Sequence, residues 1–366
     1  MAGYGVLNGV ALRELASSMV FEKWIQDILH INGKGVDESY ISGDVVNAQS
    51  IAIPKVQLGG GGFRTLGATV NGGQFNSEDP IISTSDYIYV PLLYVYDHTE
   101  ILSRIMNDKA GYDLLAKKME NLRHKITRGI NALTFAVQIA KTLNDSYDST
   151  AADGDPTYIS QSTTMKAYDA YITANAKLDE GDETIECDFF PREMRQAFAR
   201  PSFLAKLKKE AGTNFVMNSN YGQEMLATGV LNPFENTASS KINLRNGYAG
   251  DIDGTSIYTV SPLLLSLAAS YCQSNSKALA KTAFDEIDGM ICCGIGTLRG
   301  FNSTKDIEVV PAQQGQGWVI QPLIHGGCMC ISGNSVRLIV TSTFTNPVTS
   351  AETKITILPP ESQTAA

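Results

Sequence analysis

Histidine is scarce in this chain. Its four, His30, His98, His124 and His325, form no His-Glu-x-x-His pair, which excludes the helical zinc site of metalloproteases. No Gly-x-Ser-x-Gly stretch occurs, so the strained elbow that presents a serine nucleophile is missing. No Cys-x-x-Cys occurs either: Cys292 adjoins Cys293, and one residue separates Cys328 from Cys330. Structural zinc favours the wider spacing. No run of 18 apolar residues is present, so no membrane-spanning helix is expected. The N-terminus lacks a basic region followed by an apolar stretch, and no secretory signal is expected. Long basic runs are missing and the formal net charge is −9. A nucleic-acid reader that depends on neutralising phosphates is therefore disfavoured.

What is present fits a globular chain with an ample core, because 43% of its 366 residues are apolar and 18% charged. The six cysteines lie late in the chain, in apolar surroundings, where buried free thiols are expected. Two sharper readings stand beside that one. Cys292, Cys293, Cys328, Cys330 and His325 could share a metal, or Cys328 or Cys330 could pair with His325 in a hydrolase. The aspartates of "DGDP" and "GDIDG" lack the twelve-residue calcium loop and read as turns. In "GIGTLRG", Arg299 stands where a dinucleotide loop needs its third glycine.

"LGGGGFRTLG" places four glycines at Gly59, Gly60, Gly61 and Gly62, followed by Phe63 and Arg64. No lysine follows at Walker spacing, and Arg64 takes the place of the third dinucleotide glycine. A flexible bend within a β arm is the better reading, since glycine accepts φ > 0 without steric cost. An ordinary surface turn is the plain alternative. The arm itself is predicted from Ile51–Val70 and Pro80–Asp97, rich in Ile, Tyr and Val. A two-stranded ribbon is marginal alone and needs a neighbour.

Before the arm, Leu12, Leu15, Met19, Ile25, Ile28 and Leu29 suggest an amphipathic helix. After it, Leu115, Met119, Leu122, Ile126, Ile130, Leu133, Val137 and Ala140 step by threes and fours. This spacing predicts one long helix from about Asn107 to Leu143, with "NDSYDSTAADGDP" as a polar loop behind it. Lys117, Lys118, Arg123, Lys125 and Arg128 lie off the apolar stripe, as a solvated face would. Further along, "MKAYDAYITANAKLDE" reads as a helix ending before Gly181. "TIECDFFP" reads as a buried strand, and "REMRQAFARPSFLAKLKKE" as helix broken at Pro201. "NGYAGDIDGTSIYTVSP" carries turn glycines between short strands, and Ser261-Pro262 opens a helix. Closing strands are expected at Ile307–Val310, Gly317–Ile320, Val336–Phe344 and Lys354–Leu358.

This order of elements resembles the major capsid proteins of tailed bacteriophages, whose fold extends to the herpesvirus capsid floor and encapsulins. "ANAKLDEGDETIECDFFP" is similar to the family's helix, Leu-Asp turn and strand ending in proline, and "GYAGDIDGTSIYTVSP" to its Gly-x-Ile-x-Gly segment. The resemblance implies an α+β fold: an N-terminal arm (1–48), an extended β loop (49–97) and a peripheral domain with a spine helix (98–190). An axial domain (191–325) and returning C-terminal strands (326–366) would complete it. It further implies a non-enzymatic subunit of hexamers and pentamers in an icosahedral virion shell around double-stranded DNA, bound without sequence specificity and assembled in the host cytoplasm. The subunit-contact arm would be Gly59 to Arg64. No cofactor, metal or membrane is implied. A portal is an implied partner, and cement proteins are optional ones. Only about 50 residues precede the arm, so a separate scaffolding protein is expected rather than a fused one. An encapsulin compartment enclosing enzymes is the alternative within the fold.

Overall fold

Repeated apolar residues at helical spacing do produce one long helix, α1, but it runs from Gly111 to Ala151. Its 41 residues span about 60 Å at 1.5 Å per residue. The structure, a computed structural model, describes residues 50–56, 85–91, 93–96, 99–102, 111–151, 156–182, 187–214, 248–301, 306–311 and 317–357. The predicted leader helix and Gly59, Gly60, Gly61, Gly62, Phe63 and Arg64 lie outside these residues.

Ahead of α1 come β1 (Ser50–Val56), β2 (Ser85–Pro91), β3 (Leu93–Tyr96) and β4 (Thr99–Leu102). After it come β5 (Tyr158–Ser160), α2 (Ala167–Leu178), β6 (Arg195–Ala199) and α3 (Pro201–Ala211). Then follow β7 (Tyr248–Ile252), β8 (Thr255–Thr259), α4 (Pro262–Ser270), β9 (Cys272–Ser274) and β10 (Lys277–Ala278). The chain continues through β11 (Ile287–Cys293), β12 (Thr297–Phe301), β13 (Asp306–Pro311), β14 (Gly317–Cys330), β15 (Val336–Val340) and β16 (Thr356–Ile357).

The fold is α+β. A six-stranded mixed sheet has the order β5-β15-β11-β6-β8-β7, with β5–β15 and β6–β8 parallel. Strand alternation divides its side chains between two cores. Phe198, Tyr258, Met290, Cys292 and Leu338 join α1 and α4 on one face. Ala197, Ala199, Ile257, Ile291 and Cys293 join α2 and α3 on the other. A second sheet is built on the 14-residue β14. β12 and β13 flank it on one path, and β3 and β4 also pair with it. β9, β10 and β16 make a small third sheet. β1 and β2 pair antiparallel from Ser50↔Pro91 to Val56↔Ser85 as the expected two-stranded ribbon, whereas Leu93–Tyr96 of the predicted arm pairs with β14 instead. The six-stranded sheet draws strands from all three of the ranges 98–190, 191–325 and 326–366.

Several local signals act as expected. Asp253 (φ 52°) and Gly254 (φ 75°) make the two-residue β7–β8 turn, for which Asp-Gly is suited. The Ser261 side chain accepts a hydrogen bond from the Leu263 N–H, and Pro262 opens α4. On α1, Met119, Leu122, Ile126 and Ile130 are each at most 2% exposed, while Lys125 and Arg128 face outward. Leu133 is half-buried, although from Ile130 onward the helix is covered on nearly every side.

Other expectations are corrected. α1 does not stop at Leu143. Its polar last turns are held by tertiary bonds: Asn144 exchanges hydrogen bonds with the Ile355 backbone, and Lys354 pairs with Asp148 at 2.9 Å. "REMRQAF" is not helical. Arg192–Met194 is a 3-10 turn, and β6 is a central strand buried on both faces. Burial on both faces erases the period that would have marked it, and Pro201 holds Arg200 extended (φ −63°, ψ 150°) before starting α3. The described part of "TIECDFFP", residues 187–191, is not the expected buried strand: Cys187 forms an isolated bridge with Asp182, and Phe189 is 60% exposed. β14 begins at the expected Gly317 but runs on to Cys330, whereas the following strand stops at Val340 and the last covers only Thr356–Ile357.

Candidate functional site

Two of the chain's passages between its two large sheets lie side by side. Going out, β11 leads through the 3-10 turn Gly294–Gly296 into β12. Returning, β14 leads through Ser332 and the turn Gly333–Ser335 into β15. The Ile331 N–H donates to the Gly296 carbonyl at 2.8 Å. Gly296 is a close-approach glycine: a Cβ there would lie under 3.0 Å from both Oγ and Cβ of Ser335. That role explains a glycine in "GIGTLRG" without a phosphate. Gly333 meets α1 in the same way, since its added Cβ would lie 2.6 Å from Asp145 Oδ2. Its N–H donates to that oxygen at 2.8 Å, and Lys141 Nζ donates to Asp145 Oδ1 at 2.6 Å. The Ser332 hydroxyl donates to Asp182.

A buried polar seam on α1 runs toward this crossing. Thr127, Asn131, Thr134, Gln138 and Thr142 are all at most 6% exposed. Gln138 Nε2 donates to Thr297 Oγ1 at 3.2 Å, and Thr157 Oγ1 donates to the Thr142 carbonyl at 2.7 Å. Buried polar pairs of this kind fix one register of helix on sheet. Their spacing of 4, 3, 4 and 4 was the available sequence signal, a second stripe at helical period.

A charged cluster closes the far end of the six-stranded sheet. Arg195 is 0% exposed. Its Nη1 donates to Asn175 O (2.9 Å) and Oδ1 (2.6 Å), and its Nη2 to Asp179 Oδ1 (2.5 Å). Nε and Nη2 also reach the Phe190 carbonyl. Arg192 bridges Asp179 (2.9 Å) and Asp253 (2.7 Å). Partial burial works against ionising Asp179, but the hydrogen bonds from Arg192 and Arg195 outweigh it and hold its carboxyl below the usual range. The cluster ties α2, β6 and the β7–β8 turn together. No motif flags it in the sequence, because its members come from separate stretches.

The thiols do not converge. Adjacent positions on β11 send Cys292 into the α1 core and Cys293 into the α2–α3 core, so the pair cannot share one metal. Among the described residues no three His, Cys, Asp or Glu side chains form a metal cluster. All six cysteines are free thiols, and five are buried. Burial pushes the thiols of Cys272 up to about 12 and of Cys293 and Cys330 up to about 11, and it raises Cys292 further. Such thiols are protonated at neutral pH and poor nucleophiles. Position 325 is three residues from 328 and five from 330 on β14. Strand alternation sets Cys328 and Cys330 on one face of β14, and the side chain of His325 lies outside those described. Among the described residues no helix is long and apolar enough to cross a membrane.

No protein-family model matches the chain, and no curated protein does. Solved structures to which it is similar include a capsid of the cyanophage P-SCSP1u, 12% identical, covering 83% of this chain and 86% of that one at a TM-score of 0.47. The mature capsid of bacteriophage PhiM1 is 9% identical, covering 86% and 87% at 0.48. A virus-like particle from Pyrococcus furiosus is 10% identical, covering 89% and 98% at 0.42.

Proposed function

We propose that this chain is a structural subunit that self-assembles into a closed shell, the major capsid protein of a tailed phage. The observation that carries the reading is the β1–β2 ribbon, Ser50–Val56 on Ser85–Pro91. Among the described residues its sheet has two strands, a form with too little core to stand by itself in water. A second copy of the chain is the natural surface for it. The frame behind it suits a load-bearing role: α1 spans both large sheets, and the paired crossings are pinned to it through Asp145. Buried, protonated thiols and hydrogen-bonded charges form such a frame without offering a reactive group.

In this reading Gly59, Gly60, Gly61 and Gly62 let the arm bend, and Phe63 and Arg64 lie on the neighbour. Residues 98–190, 191–325 and 326–366 divide into peripheral, axial and returning segments. Hexamers and pentamers close an icosahedral shell around double-stranded DNA in the host cytoplasm. A separate scaffolding protein, a portal and optional cement proteins are the partners. Electron microscopy of the expressed full chain, with and without its neighbouring gene products, tests the reading. Closed particles are expected. Sedimentation of only a 39.5 kDa species at high concentration in both preparations would refute it. Particle contents separate the two shell types: nuclease-protected DNA fits the capsid, and a defined protein cargo fits a compartment shell.

A further inference from the structure

We draw no further inference here: the strongest candidate, the buried guanidinium of Arg337 on β15, whose Nε has no hydrogen-bond partner, already lies in the field of Glu180 and Asp182, so nothing in the structure points to a further ligand for it.

Discussion

Replacing Gly296 with Ala should strain the crossing between the sheets. The backbone of Gly296 lies outside the left-handed region, so alanine suits its φ and the effect is purely one of space. A new Cβ would come within 3.0 Å of Ser335 Oγ and Cβ. Rotation can move the hydroxyl, but Cβ moves only with its backbone. That backbone is held by Ser335 N–H on the Ser332 carbonyl (3.3 Å) and by Gly333 on Asp145 (2.8 Å). Overpacking of this kind costs about 1–3 kcal/mol, and the rigid surroundings place this case near about 3. Ser335→Gly alone forfeits the bond from its hydroxyl to the Ser332 carbonyl (2.7 Å), about 1 kcal/mol, plus about 0.5–1 kcal/mol of backbone entropy. In the double variant the new methyl occupies the space that Ser335 vacates. The pair should then cost about 2 kcal/mol rather than the summed 4–5, a coupling of at least about 2 kcal/mol. Urea unfolding of unassembled subunits measures this, with unchanged slopes required. Costs that add within about 0.5 kcal/mol would show that the two turns do not share this contact.

Ile126→Ala should cost about 2–5 kcal/mol, since a side chain 2% exposed leaves a cavity, whereas Lys125→Ala should stay within about 0.5 kcal/mol in subunit unfolding; the reverse ranking would mean that the buried face of α1 is misassigned. Asp179 has a lowered folded-state pKa, so its contribution is complete above the unfolded value of about 3.9 and fades as pH falls below it. Asp179→Asn should therefore flatten the acid end of the stability–pH curve, and an unchanged curve refutes the role given to Arg192 and Arg195. Thiol reagents at neutral pH should spare Cys272, Cys292, Cys293 and Cys330 in the native chain and label all six cysteines after unfolding, so rapid native labelling of Cys330, read by mass spectrometry, would contradict its burial. Deleting residues 59–73 should leave folded subunits that fail to close shells, and loss of the circular-dichroism signal would place that segment in the core instead.

The sequence by itself determined the features that arise between near neighbours. The three-and-four spacing of Met119, Leu122, Ile126 and Ile130 makes a buried helical stripe whatever lies opposite. Asp253-Gly254 fixes a hairpin turn, and Ser261-Pro262 starts a helix, because φ preference and end capping are local. The β1–β2 pairing followed from two β-rich runs close in sequence. Tertiary structure decided what depends on distant partners. β6 is a strand because β8 and β11 flank it and both its faces are covered, conditions that its five residues do not record. α1 passes Leu143 because Ile355 and Lys354, about 200 residues on, satisfy Asn144 and Asp148. The joined crossings and the Arg195 cluster were illegible for the same reason. Each brings together residues that meet only once the chain is packed, and no local period or motif encodes such a meeting.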